Sequence, residues 1–318
     1  MSAGRRALWG GALLLGLPLL AAAQTGADCP PQSEAVSAAQ AVQGMREAVD
    51  RGFLWRVTRD GRDSYLYGTL HVAQRSWMFT GPQVTQALRG SDSVALELDM
   101  QDADILRRVA AGLRADPAEF LAEPLAGRLR AQLESACLSL PAMAALSPVA
   151  QLVVLMTLVA RREGLDPAYG IDSFISGFAH AIGKKVISLE TPESQIALVK
   201  GEPRTALERL AQGLDQLESD RARPMLVHIS RLWERGDAAE LARYEEWCDC
   251  ARTEDERAAL KRLLDDRNPS LADQIDALHA SGARVFAAVG ALHMVGPLGL
   301  PALLAGRGYQ LHRYEWTR

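Results

Sequence analysis

Two segments near opposite ends of the chain repeat one pattern, and that repeat limits the folds open to it. Tyr65-Leu66-Tyr67-Gly68-Thr69-Leu70-His71 and Phe286-Ala287-Ala288-Val289-Gly290-Ala291-Leu292-His293 each carry an apolar run into a glycine, a leucine and a histidine. A short apolar run ending on a turn signal reads as a strand. The glycine lets the backbone leave that strand sharply and approach another group closely. A sheet holding both strands is therefore assembled from the two ends of the chain, with the rest inserted between them.

The remaining pattern fills in that outline. Runs at 53–58 and 64–69 flank Arg59-Asp60-Gly61-Arg62, and Asp-Gly is a strong hairpin turn. Helices are expected over 37–51 and 82–89, and Val94–Leu98 reads as a buried strand carrying Glu97. Helical spacing dominates 101–183, broken at Pro117, Pro124, Pro141, Pro148 and Pro167. Its apolar run 149–160 has the length of a buried core helix, short of a membrane span. Lys185–Leu189 is a short strand ending at Glu190, and Thr191-Pro192-Glu193 starts a helix. A charged helical block over 203–281, a strand at 284–289, a helix from Gly296-Pro297 to 305 and a last strand at 309–314 follow. This order predicts an α/β (α+β) domain: a mixed central sheet flanked by helices, with helical insertions.

Composition bounds the setting. A net charge of −4 over 318 residues lacks the basic footprint of a nucleic-acid binder. Arg5-Arg6, the apolar Ala7–Leu20 and Ala21-Ala22-Ala23 have the layout of a secretory signal peptide over 1–23. The expected organisation is that peptide, an N-terminal extension over 24–52 and a catalytic domain over 53–318, in the periplasm or secreted. No later segment reaches membrane-spanning length without charges. Cys29, Cys137, Cys248 and Cys250 permit three full disulfide pairings. A Cys248–Cys250 bond across one residue is the least expected of them, and a metal site at that C-x-C lacks the usual spacing.

Four features carry chemistry in the same context. His71 and His293 follow strands, Glu97 lies in one, and Glu190 ends another. If those strands are neighbours, two imidazoles and two carboxylates meet at one sheet edge. Neutral imidazole with carboxylate is a ligand set for a divalent transition metal that keeps positions open for water. A further carboxylate can then act as general base. A third Gly-x-x-His, Gly177 to His180, reads as helical and incidental. His228, His279 and His312 are expected at the surface, the acidic run 254–256 on a solvated helix face, and Trp77, Met78 and Phe79 packed under a loop.

GTLH, ALELD, LETPESQ, RNPSLADQI and VFAAVGALHMVGPLGLPALLAGRGYQLHR together resemble the TraB/GumN family, which includes the animal Tiki proteins, over residues 53 to 314. The resemblance implies a fold similar to the erythromycin-esterase/ChaN-like group. It also implies a metal-dependent hydrolase, in the Tiki branch a metalloprotease acting on peptide or protein substrates. Carried over by position, the family's motif histidines fall on His71 and His293, its strand glutamate on Glu97 and its arginine on Arg267. Glu190 matches the LET segment of bacterial members. The expectation is a divalent metal (Mn, Co or Zn) on His71, Glu97 and His293. Glu190 and Arg267 are then catalytic, with Glu190 a base or a further metal ligand and Arg267 a guanidinium that orients a carboxylate or stabilises an oxyanion. An esterase-like non-peptide hydrolase and a non-catalytic periplasmic ligand-binding protein are the alternatives.

Overall fold

Asp60 and Gly61 close the first hairpin in left-handed backbone, at φ 52° and 69°, the conformation a tight two-residue turn needs. The turn joins β1 (Phe53–Arg59) to β2 (Arg62–Thr69), paired antiparallel from Phe53↔Gly68 to Arg59↔Arg62. The computed structural model describes residues 28–116, 121–202 and 205–316. The expected signal peptide, and Pro117 among the expected helix breaks, lie outside the described residues.

Four further strands complete a six-stranded mixed sheet: β3 (Ser93–Leu96), β4 (Lys185–Ser188), β5 (Val285–Gly290) and β6 (Gln310–Arg313). Their order is β4-β3-β5-β2-β1-β6. β4, β3, β5 and β2 run parallel, and β1 is antiparallel to both its neighbours. The sheet is thus drawn from both ends of the chain, as the repeated pattern predicts, and the helices between them flank it. β3 is buried throughout and β5 up to its last residue, as expected of parallel strands covered on both faces.

The two repeated segments lie side by side, with Gly68 opposite Val289 and Thr69 opposite Gly290. A Cβ on Gly68 would come within 3.1 Å of the Phe53 ring and 3.2 Å of Ala291 Cα. The chain leaving β5 therefore crosses so close to β2 that a side chain here would press on its neighbours. Trp233, fully buried, donates its indole N–H to the Gly68 carbonyl at 2.7 Å and fixes the same point from a helix. The apolar helix Pro148–Leu158 is a core helix, as expected; Leu152, Val154 and Leu155 pack with Leu129, Leu210 and Leu214. Among the described residues no helix is long and apolar enough to cross a membrane.

Several expectations are corrected. The disulfides are Cys29–Cys137 and Cys248–Cys250. Asp249 takes a left-handed φ of 55°, which brings the flanking Cα atoms to 5.1 Å and makes the pairing rated least expected a feasible one. His279 is buried rather than at the surface. Its Nδ1 lies 2.8 Å from Ser64 Oγ and its Nε2 3.1 Å from the Arg59 carbonyl. His228 is half-buried, edge-on to Trp247 at 4.6 Å. Glu256 is buried at the third position of a capping box, where its carboxylate accepts the backbone N–H groups of Arg252 and Thr253. After β5 the chain makes a 3-10 turn, Ala291–Met294, before the helix Leu300–Gly306, shorter than the one expected from 297. His312 is exposed, and Trp77 and Phe79 are buried under their loop, as expected.

Candidate active site at the carboxyl edge of the sheet

Because β2, β3, β4 and β5 are parallel, their carboxyl ends share one edge, the edge where α/β sheets carry their sites. His71 stands just past β2, Glu97 just past β3, Glu190 just past β4 and His293 in the 3-10 turn past β5. Both strands end earlier than the sequence predicts, so Glu97 follows its strand rather than sitting inside it, and Glu190 stands past the end of its own, close to where it was expected. Arg267 comes from elsewhere, at the N-terminus of the helix Asn268–Ala280, whose Pro269 suits the first turn. All five residues marked in the sequence are brought together.

Gly290 is the floor of this convergence. A Cβ there would lie 3.2 Å from Glu97 Oε1, 3.6 Å from His293 Cδ2 and 3.9 Å from His71 Nε2. Its own N–H donates to Glu97 Oε1 at 2.9 Å. The glycine of the second motif thus leaves the room that the three side chains share.

Arg267 ties the two carboxylates together. Its Nη2 donates to Glu97 Oε2 at 2.6 Å and to Glu190 Oε2 at 2.5 Å, and its Nε donates to Glu190 Oε1 at 2.8 Å. Its Nη1 reaches the Leu263 carbonyl at 3.0 Å and His293 Nε2 at 3.1 Å. Gln195 donates its amide to both glutamates. Burial acts to raise the Glu97 pKa, but Arg267 and the two histidines hold it well below the usual carboxylate range. Burial acts to lower that of Arg267, and the paired carboxylates reverse this, so the guanidinium stays charged.

The two motif histidines are held in opposite states. His293 is buried and its Nε2 receives an arginine N–H, so Nδ1 carries the ring proton and donates to Asn268 Oδ1 at 2.6 Å. Burial, with Arg267 and His71 adding to it, pushes the His293 pKa down to about 4 against the pull of Glu97. His71 Nδ1 lies 3.0 Å from Asp172 Oδ2, an ion-pair distance without the alignment of a hydrogen bond. Burial would lower its pKa, but Asp172 and then Glu97 raise it to about 9. His71 Nε2 faces Glu97 Oε1 at 4.0 Å. His180, of the third Gly-x-x-His, lies on the helix Ile171–Ala181 and pairs instead with Asp99 at 2.8 Å.

Three contributors escape the sequence reading. Asp172 reaches His71 because the loop ahead of its helix pairs with the loop after β2: Ile171 N–H donates to the Leu70 carbonyl, and Ala73 and Asp166 bond each other through the backbone. No local signal marks it. Gln195 and Asn268 lie inside segments that carry the family resemblance, LETPESQ and RNPSLADQI, so position within those segments was the available sign.

The donor chemistry fits a divalent transition metal. Two imidazole rings and a carboxylate oxygen lie against Gly290, and each imidazole has its Nδ1 facing an outer side chain, Asp172 or Asn268, as metal-ligating histidines do. Among the described residues no three His, Cys, Asp or Glu donors are already gathered at ligand spacing. Arg267 stands against one of the nitrogens.

A mixed α/β sheet with a histidine–carboxylate–arginine cluster at its parallel carboxyl edge defines the class: an α/β protein whose candidate site is built from strand-end residues. The model of the TraB/PrgY/gumN family matches residues 53–313, and the chain belongs to that family. No curated protein and no solved structure matches it.

Proposed function

We propose that the protein is a metal-dependent hydrolase, a peptidase in the first instance, working in the bacterial envelope. The observation that carries this reading is the ring of His71, Glu97, His293 and Arg267 around Gly290, each side chain held by a second group. His71, Glu97 and His293 would hold a manganese, cobalt or zinc ion, which would supply Lewis-acid polarisation of a carbonyl and activation of water. Arg267 would orient Glu97 and Glu190 and place its positive charge beside the substrate oxygen on which charge develops. Glu190 would serve as base from its place beside the guanidinium. Asn268 and Asp172 fix the imidazole rings. Two disulfides support an oxidising compartment, as does the signal-like N-terminus.

One observation favours a second reading. Arg267 already hydrogen-bonds Glu97, Glu190 and His293 together, so both carboxylates have a cationic partner from the chain itself. In that case His71, protonated at neutral pH, would act as general acid in an esterase-like hydrolysis. Parallel peptide and ester panels, each run with and without chelator, separate the two. Peptide cleavage lost to chelator and restored by metal supports the first, whereas chelator-insensitive ester cleavage supports the second.

A further inference from the structure

The cluster opens into a cleft of about 110 Å³, and the wall facing it is aliphatic. Leu226 and Ile229, three residues apart on the helix Ala222–Arg235, share a face of that helix. Leu263, Leu264 and Leu292 add to them. The polar groups of the lining are largely engaged already. Thr157 donates its hydroxyl to the Val153 carbonyl at 2.7 Å, Glu97 and Arg267 bind each other, and His293 lies between Arg267 and Asn268. The exceptions are the Thr69 hydroxyl, buried and without a hydrogen-bond partner, and the His71 ring, which has only the ion-pair contacts to Asp172 and Glu97. Among the described residues no charged side chain outside the cluster lines the cleft. A charged group placed against that wall would lose its water and gain no partner.

We infer that this cleft selects substrates by an uncharged aliphatic group of leucine size, seated on Leu226, Ile229 and Leu292 beside the bond to be broken. This deepens the hydrolase reading and rests on it for the word substrate, but the selectivity is a binding property that needs neither metal nor turnover. Burying one such side chain against an apolar wall gives preferences of about ten- to a hundredfold.

The test is an NMR titration of the full-length protein, methyl-labelled at Leu and Ile, with N-acetyl-leucinamide, N-acetyl-lysinamide, N-acetyl-glutamic acid amide and hexanamide. The first and last arms separate a peptide side chain from a simple acyl chain as the source of the aliphatic group. Expected are shifts at the methyls of Leu226, Ile229 and Leu292, with N-acetyl-leucinamide at least tenfold tighter than the two charged amides. Ile229→Trp and Leu226→Trp, which fill the cleft, should each remove that preference. Equal binding of all probes, shifts confined to other methyls, no shifts at all, or a preference that survives filling would overturn the inference. The shifts are read on the unmodified chain, so the inference stays exposed to refutation if a filled variant does not fold. Binding without hydrolysis would count against the hydrolase reading alone, and hydrolysis without aliphatic preference against this inference alone.

Discussion

The Asn268 carboxamide oxygen accepts a hydrogen bond from His293 Nδ1 at 2.6 Å, while its amide donates to the Leu298 carbonyl at 2.9 Å. Asn268 is therefore clamped between a candidate ligand and the loop beyond it, and it leaves Nε2 of His293 as the atom that faces the cluster. Asn268→Ala should free the ring to turn. Loss of such an outer partner lowers metal affinity or activity by about 10–100-fold. Titration calorimetry with Mn²⁺ or Zn²⁺ on the variant and the unmodified chain measures it; unchanged affinity would remove Asn268 from the site.

Arg267 holds two buried carboxylates at once. Arg267→Ala strands both, and breaking such a buried pair costs about 3–5 kcal/mol, to be read by chemical denaturation. Arg267→Lys keeps the charge but not the bidentate fork. We expect it to retain the fold and lose at least tenfold in kcat, because the carboxylates stay paired but lose their alignment. A Lys variant with full activity would show that only charge matters here.

The paired motifs were readable because both halves of the signal are local: an apolar strand, a glycine, a histidine. Their meeting follows from register, Gly68 opposite Val289, and a parallel sheet built from both chain ends makes it unavoidable. Other features depend on distant partners. His279 looks like a surface residue on a polar helix, yet Ser64 and Arg59, far away in sequence, receive it in the core. Asp172 meets His71 through loop pairing that leaves no periodic trace. The Cys248–Cys250 bond turns on the left-handed backbone of one residue, Asp249, which composition does not announce.

The two disulfides should differ in weight. Cys29–Cys137 closes a separation of 108 residues and Cys248–Cys250 one of 2. In the chain-entropy account a loop of about 100 residues is worth about 4.7 kcal/mol, and a very short one much less. Cys29→Ser/Cys137→Ser should therefore lower the melting temperature more than Cys248→Ser/Cys250→Ser. The reverse order, measured by calorimetry, would mean that the short bridge does more than restrict the unfolded chain.

His279 links stability to pH. Its burial lowers its folded pKa below the ordinary value of about 6.5, so the neutral ring is the folded form. The stability it confers is complete above that value and declines as pH falls below it, where the unfolded chain takes up the proton first. His279→Gln should flatten the fall in melting temperature between pH 7 and 5, an interval set by about that unfolded value. An unchanged slope would show that other groups govern it.

The central claim is that His71, Glu97 and His293 hold a divalent metal. The direct measurement is metal content by mass spectrometry on protein purified without chelator and then dialysed against Mn²⁺, Co²⁺ or Zn²⁺, beside the His71→Ala/His293→Ala double variant. The account predicts about one equivalent of metal per chain in the unmodified protein, following the single-ion ligand count of such sites, and essentially none in the folded double variant. Metal absent from both proteins, or bound equally by both, would contradict it.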